Sequence, residues 1–201
     1  MTDDRPEPDD DQLIARAGAG DRAAFAQLYR RYRPDVYRFA AHVSGSAAVA
    51  EDVVQDVFVA VIEDASGYRA DRSGVLPWLL GIARNHVRRW RCQRIMLPLP
   101  GDDTPAGEQM AVRPDPLLDL STQRNTTALR CALLNLPIKY REVIVLCDLQ
   151  ELSYADAARA LKCAVGTVRS RLHRGRAMLA RRLCDREDNQ VFHVPATRSL
   201  I

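Results

Sequence analysis

Residues 153–176 read SYADAARALKCAVGTVRSRLHRGR and predict two short helices joined by a turn. Ser153 and Asp156 form a capping box, with a hydroxyl at the N-cap and an acid at the third helical position. The connector 162–166 contains a glycine, and a second, basic helix is expected over 167–183. Two helices with such a turn are typical of a helix-turn-helix, whose second helix enters the major groove of DNA.

A helical wheel divides the second helix into an inner and an outer face. Val168, Leu172, Gly175 and Leu179 fall in one narrow sector, so we expect them to pack inward. The outer face could be a solvated basic surface, but the capping box, the turn and the helical wheel together favour a DNA-reading face. In such a face Arg can bind guanine, and Ser or His can make single hydrogen bonds to base edges or phosphates. The residues predicted to read DNA are Arg169, Ser170, Arg171, His173 and Arg174, and those predicted to bind phosphates are Arg176, Arg181 and Arg182.

Charge is segregated along the chain, although the net charge is only +3. Acidic blocks lie within 1–11 and 51–64, and basic blocks within 84–94 and 159–182. The last block holds Lys162 and seven arginines and no acid. Such basic blocks indicate nucleic-acid binding.

Composition favours a soluble globular protein, because 47% of the residues are hydrophobic and 27% charged. No apolar run reaches the roughly 20 residues of a membrane span, and the start is acidic, so we expect a cytoplasmic protein without membrane insertion. Five widely spaced cysteines without a CxxC pair predict reduced thiols and no metal site. No phosphate loop, nucleophile elbow or paired-histidine motif is present, so the sequence predicts no enzyme and no cofactor.

A proline-rich segment separates two helical units. Five of the eleven prolines fall within residues 96–121, together with two glycines, which predicts a flexible linker. The expected fold class is therefore all-α, with two small helical domains joined by this linker. The predicted divisions are an acidic N-terminal tail 1–11, a first unit 12–95, the linker 96–121, a second unit 122–184 and a C-terminal tail 185–201.

The first unit is expected to contain three long helices. Phe25, Leu28, Tyr29, Tyr32 and Val36 form an apolar stripe, with Asp21 as N-cap. The valine-rich segment 50–64 could be a strand, but its apolar residues fit a helical period better. A third helix follows Pro77 over 78–94, with Leu79, Ile82, Ala83, His86 and Trp90 predicted on one side. The second unit should begin with helices over 126–135 and 139–149.

Two surfaces of the first unit are candidate binding sites. Arg84, Arg88 and Arg91 share one side of the third helix, near Asn85 and the aromatic residues Tyr68, Trp78 and Trp90. Arginines beside aromatic rings suit single-stranded DNA, although Trp90 and His86 are better explained by core packing. The acidic segment 50–64 suits a basic protein partner, with Val54 and Phe58 as apolar anchors.

These residues resemble the sigma-70 family of bacterial RNA polymerase initiation factors, specifically the short extracytoplasmic-function group that keeps only regions two and four. The similarity covers most of the chain. The runs that resemble region two are 24–37, 50–58 and 78–85, and those that resemble region four are 136–137, 140–143, 152–154 and 166–176.

The resemblance implies a role for each surface. One set of residues would dock on the clamp helices of the largest polymerase subunit: Glu51, Asp52, Val54, Gln55, Asp56 and Phe58. A second set would open and hold the −10 element: Tyr68, Arg69, Trp78, Arg84, Asn85, Arg88 and Arg91. A third set would read the −35 element: Thr167, Arg169, Ser170, Arg171, His173 and Arg174.

The implied partners are core RNA polymerase, including the subunit that contacts region four, promoter DNA and an anti-sigma factor. The alternative function is a helix-turn-helix regulator of duplex DNA that does not associate with core polymerase. That alternative explains the second unit and leaves both surfaces of the first unit without a role. The promoter, the inducing signal, the role of the tail 185–201 and a redox role for the cysteines stay open.

Overall fold

Every regular element of the described chain is helical, as the sequence predicts. The computed structural model describes residues 9–68, 74–96 and 120–191. Within these ranges there are eight α-helices and no strand. The helices are α1 (Asp10–Gly18), α2 (Arg22–Ser44), α3 (Ala47–Glu63), α4 (Val75–Met96), α5 (Leu120–Leu134), α6 (Ile138–Ile144), α7 (Tyr154–Leu161) and α8 (Val165–Val191).

Local signals in the sequence fix the helix ends of the first unit. The Asp21 carboxylate accepts hydrogen bonds from the backbone N–H groups of Ala23 and Ala24, which caps α2 as predicted. Gly45 then ends α2 in the left-handed conformation, with φ of 80°. The Ser46 hydroxyl accepts from the backbone of Val49 and caps α3. The valine-rich segment is therefore helical, and its interpretation as a helix is confirmed.

The buried face of helix α4 is shifted from the one predicted. It begins at Val75, with Pro77 in its first turn, where a missing N–H costs nothing. Its buried residues are Leu79, Leu80, Ala83 and Val87. Ile82 and Trp90 are partly buried and pack against this core, as predicted, but they lie at its edge. The centre of the buried face is shifted towards Leu80, Arg84 and Val87.

The second unit differs from expectation mainly at its helix ends. Helix α5 begins at Leu120, within the predicted linker, and α6 passes into a π-helical turn over Val145–Leu149. Helix α7 ends at Lys162, which adopts the left-handed conformation with φ of 50°. Helix α8 begins at Val165, so Gly166 lies inside the helix and not in the turn. The turn of the helix-turn-helix thus depends on a lysine, which a glycine-based prediction misses.

Both predicted tails contribute residues to helices. Helix α1 begins at Asp10, so the last two residues of the tail 1–11 are helical. Helix α8 extends to Val191, so the first seven residues of the tail 185–201 continue it. Most of the predicted linker, 97–119, lies outside the described residues.

The two units pack against each other and share one core. A single cluster of buried residues includes Val36 and Leu80 of the first unit and Val143 and Leu161 of the second. Hydrogen bonds cross between the units, since Arg141 Nη1 donates to the Val43 carbonyl at 2.6 Å. We call this arrangement, in which the two units are packed together, the closed form. It differs from the expectation of two small domains, each with its own core, joined by a flexible linker.

Replacing Gly45 by Ala should lower the free energy of unfolding by about 1–2 kcal/mol, because left-handed backbone disfavours a Cβ. An added Cβ would also meet Leu134 Cδ2 at 2.9 Å. Gly166→Ala is the control, because its Cβ meets nothing within 4 Å and alanine favours a helix. Urea unfolding should show a loss for the first variant and none for the second. Equal stability of both variants would contradict the assignment of Gly45 as a strained position.

Candidate nucleic-acid interface

Helix α8 presents an exposed reading face opposite a buried one. Val168 is fully buried and Leu172 is 2% exposed. A Cβ on Gly175 would lie 3.0 Å from Ile144 Cδ1, so α6 and α8 are in close contact there. The inward face predicted from the wheel is confirmed. The outer residues are exposed at Arg169, Ser170, His173 and Arg174 and half-buried at Thr167 and Arg171.

The capping box positions the helix-turn-helix. The Ser153 hydroxyl accepts from the backbone N–H of Asp156 at 3.1 Å and donates to its carboxylate at 2.5 Å. Ser153 therefore satisfies an N–H group at the start of α7. In a complete capping box the acid would bind the N-cap backbone, whereas this acid binds the N-cap hydroxyl.

Ion pairing separates the arginines predicted to bind phosphate into two kinds. Arg176 binds Asp148 through two hydrogen bonds of 3.0 and 2.5 Å. This pair ties α8 to the π-helical turn, so Arg176 has a structural partner that the sequence analysis did not foresee. Arg181 and Arg182 are exposed. The Arg169 guanidinium lies 5.9 Å from the ring centroid of Tyr154, an exposed residue at the start of α7.

Two arginines of the predicted −10 surface bind a buried carboxylate of the second unit. Glu142 of α6 is fully buried. Arg88 donates to it through Nε at 2.7 Å and Nη2 at 3.1 Å. Arg84 donates through Nε at 3.1 Å and is 8% exposed. These two arginines therefore face the other unit, which corrects the expectation that their stripe is open to DNA in the free chain.

The remaining residues of the predicted −10 surface lie on the outer side of α4 and before it. Asn85 is exposed and Arg91 is half-buried. Tyr68 and Trp78 are half-buried and their rings are 5.3 Å apart, at 57° to each other. The structure thus brings the two aromatic side chains together. Arg69 lies outside the described residues.

Helix α3 exposes its acids and buries the two residues predicted as anchors. Val54 is fully buried and Phe58 is 2% exposed, with the Phe58 ring 4.7 Å from that of Tyr29. The expectation that both are surface anchors was wrong, because a 3.6-residue period places them on the core side. The exposed polar residues are Glu51, Asp52, Gln55, Asp56 and Glu63, and the large apolar residues exposed on the helix are Val59 and Ile62.

Two acids of α3 have partners within the first unit. Glu51 pairs with Arg33 of α2 at 3.0 Å, and Asp56 pairs with His86 Nδ1 of α4 at 2.9 Å. Both pairs are at the surface, where the net contribution of an ion pair is small. They therefore leave the acidic surface available to a partner.

Arg141 and Glu142 are the important residues that the sequence analysis did not single out. Arg141 is 4% exposed and donates to backbone carbonyls of Leu133, Leu134, Leu136 and, in the first unit, Val43. Burial lowers the pKa of its guanidinium to about 10, so the side chain stays charged at neutral pH. The sequence Arg141-Glu142 beside Val143 did not by itself predict that the two charged residues are buried, because charged residues on a short helix are usually exposed.

Three further features bear on metal binding, membrane spanning and cysteine reactivity. No group of three or more metal-ligating side chains occurs in residues 9–68, 74–96 and 120–191. None of the helices in those ranges is long and apolar enough to span a membrane. Burial raises the pKa of the Cys147 thiol to about 11, so it is protonated at neutral pH and a weak nucleophile.

Fold and surfaces together describe a helical protein with a helix-turn-helix in one unit and, in the other, a helix whose exposed face is acidic. Family models match both units: sigma-70 region 2 over residues 28–94 and sigma-70 region 4 over residues 126–179. The chain belongs to the sigma-70 family, in its extracytoplasmic-function (ECF) group. Its function is that of a promoter-directing sigma factor. The alternative, a helix-turn-helix regulator that does not associate with core polymerase, gave no role to the surfaces of the first unit, whereas the family match over 28–94 covers that unit.

Two curated relatives named as ECF sigma factors match this chain over most of their length. The chain is 36% identical over 181 residues to the ECF RNA polymerase sigma factor SigM of Mycobacterium tuberculosis, covering 89% of this chain and 87% of that one. It is 31% identical over 183 residues to SigW of Bacillus subtilis, covering 86% and 95%. None of these names includes an enzymatic activity.

Two solved structures with a similar fold are of proteins in complexes with a partner. CnrH, in a complex with the cytosolic domain of CnrY, is 28% identical and covers 88% of this chain and 97% of its own, with a TM-score of 0.65. The sigma factor RpoE of Bartonella quintana, in a complex with the anti-sigma factor NepR, is 29% identical and covers 80% and 96%, with a TM-score of 0.64.

Replacing Glu142 by Ala should open the closed chain. Removing one partner of a buried ion pair leaves an uncompensated charge and costs about 3–5 kcal/mol, and separating the units would return Arg84 to water. Small-angle scattering should show a larger radius of gyration than for the wild type. The control is Glu51→Ala, which removes a surface pair within one unit. An unchanged radius for Glu142→Ala would show that the interface does not depend on this carboxylate.

Proposed function

We propose that three surfaces divide the work of promoter recognition. The exposed face of α8 reads the −35 element, the outer side of α4 with Tyr68 and Trp78 holds the melted −10 strand, and the acidic face of α3 binds core polymerase. The observation that carries this proposal is the exposed face of α8, with Arg169 and Arg174 opposite the buried Val168 and Leu172. Side chains in this arrangement reach base edges in the major groove.

The polymerase-binding surface consists of acids with apolar residues at their C-terminal end. Asp52, Asp56 and Val59 follow one another at helical spacing, and Val59 and Ile62 are 48% and 49% exposed. Acids at the rim and exposed aliphatic side chains suit a basic coiled coil such as the clamp helices of the largest subunit. Val59 and Ile62 take the anchoring role first assigned to Val54 and Phe58, while the buried pair holds α3 in place.

The closed arrangement sets a condition for −10 binding. Arg84 and Arg88 bind either Glu142 or DNA phosphates, since the same guanidinium N–H groups serve both. Opening of the two units therefore precedes −10 capture, and binding to core polymerase supplies the energy. In contrast, the reading face of α8 and the acidic face of α3 are exposed in the closed form.

An anti-sigma factor that favours the closed form would keep the chain inactive. RpoE of Bartonella quintana, one of the structural neighbours, is bound to an anti-sigma factor. A partner of this kind would act by population shift, because it binds the closed state better than the open state. The chain itself performs no covalent chemistry and acts in the cytoplasm, where its polymerase and promoter partners are located.

Changing Asp52 and Asp56 to Lys should abolish binding to core polymerase, because the variant places positive charge where a basic surface docks. Pull-down with sigma-free core enzyme measures the effect, and circular dichroism checks the fold. The control is Asp9→Lys with Glu151→Lys, which makes the same change in net charge at two other exposed sites. Wild-type affinity in the first variant would reject α3 as the docking helix.

Arg174→Ala should reduce discrimination between the cognate −35 element and a mismatched one by about 1–3 kcal/mol if the contact is bidentate to a base. Arg181→Ala, two turns further along α8, should weaken binding to both sequences equally, as expected for a phosphate contact. Fluorescence anisotropy with matched duplexes measures both. An equal loss on all sequences for Arg174→Ala would assign that residue to phosphate binding.

A further inference from the structure

Helix α1 is hydrogen-bonded to Tyr68, one of the two aromatic residues of the predicted −10 surface. The Tyr68 hydroxyl donates to Asp11 Oδ1 at 2.5 Å. The same ring lies against Trp78, with centroids 5.3 Å apart. One side chain of α1 therefore holds the hydroxyl end of Tyr68 while Trp78 contacts its ring.

Helix α1 is itself fixed to the rest of the first unit, so its hold on Tyr68 is rigid. Asp10, the neighbour of Asp11, accepts hydrogen bonds from Arg31 and from the Tyr32 hydroxyl of α2. Leu13 is fully buried and Ile14 is 2% exposed in the core. The two acids thus have different partners: Asp10 binds α2 and Asp11 binds Tyr68.

The Tyr68 hydroxyl stays protonated, so it is the donor in the hydrogen bond to Asp11. Burial, followed by the bond to Asp11, raises the pKa of Tyr68 above its usual value. The phenol is therefore neutral at physiological pH and donates to a charged carboxylate, which makes a stronger bond than a neutral pair.

We propose that Asp11 is a positioning residue for −10 DNA, because it fixes the Tyr68 ring against Trp78 as a preformed stacking surface. The inference rests on the proposed function of these two rings. A base gains more net stacking energy from a ring that is already in place, since ordering a loose side chain costs rotamer entropy. An acid near DNA would otherwise be unfavourable, so its position is explained by the hydroxyl that it holds.

The test uses the full chain assembled with core polymerase. The probe is a promoter fragment selected by run-off transcription with the wild-type holoenzyme and opened over the −10 element by mismatches. Asp11→Ala and Tyr68→Phe each remove the hydrogen bond and keep the Trp78 ring, so each should weaken probe binding about three- to tenfold. The double variant should lose no more than either single variant, because both remove the same bond.

Two further variants separate the hydrogen bond from charge. Asp11→Asn keeps an acceptor oxygen and should restore binding to within about twofold of the wild type. Asp9→Ala removes an equal charge from the same end of α1 without touching Tyr68, and should bind as the wild type does. Equal effects of Asp9→Ala and Asp11→Ala, or additive losses in the double variant, would overturn the proposal.

A DNA-free readout covers the case in which a variant affects folding. In a Trp90→Phe background Trp78 is the only tryptophan of the chain, so its emission reports the aromatic pair. Asp11→Ala should shift this emission and Asp11→Asn should not, with thermal unfolding as the check on the fold. If Trp78→Ala leaves probe binding unchanged, the proposed −10 surface fails. If Trp78→Ala weakens binding and Asp11→Ala does not, only the role of Asp11 fails.

Discussion

A single buried carboxylate, that of Glu142, joins the two units of this sigma factor. It is fully buried and accepts three hydrogen bonds, two from Arg88 and one from Arg84. A carboxylate in such a place is tolerated only because both arginines reach it, since an unpaired buried charge is costly. Around this contact the two units form one apolar core, and Arg141 adds a bond to the backbone of α2. The closed form therefore depends on two arginines that we also propose to bind the promoter.

The proposed double use of Arg84 and Arg88, on Glu142 and on DNA, implies two states of the chain. In the closed state the arginines bind Glu142, and the faces of α3 and α8 that we propose to bind polymerase and duplex DNA are exposed. In the open state phosphates replace the carboxylate at the same N–H groups. Opening costs apolar burial between the units, so the chain responds to partners that favour one state. Asp11 and Tyr68 make no contact with Glu142, and their hydrogen bond lies within the first unit.

Local sequence patterns predicted the helices and the buried and exposed faces of α8. Features that depend on contacts between residues far apart in the sequence were not predicted, because a local pattern does not contain the partner. Val168 and Leu172 could be assigned to the core because periodicity within one helix is sufficient. The environment of Arg84 could not, because its partner Glu142 lies 58 positions further along the chain. Lys162 replaces the expected glycine, since side-chain type only biases backbone conformation. The exposure of Asp52 and Asp56 on α3 agrees with the sequence analysis, whereas Val54 and Phe58, predicted beside them as surface anchors, are buried.

This chain directs core polymerase to promoters, and we propose that it does so by reading two DNA elements. Run-off transcription tests the claim most directly, with sigma-free core enzyme, fragmented genomic DNA of the source organism and mapping of RNA 5′ ends. The account predicts new starts in the presence of the protein that share two upstream elements at constant spacing. Transcripts that start at the same sites with and without the protein, while its specific duplex binding is intact, would contradict it.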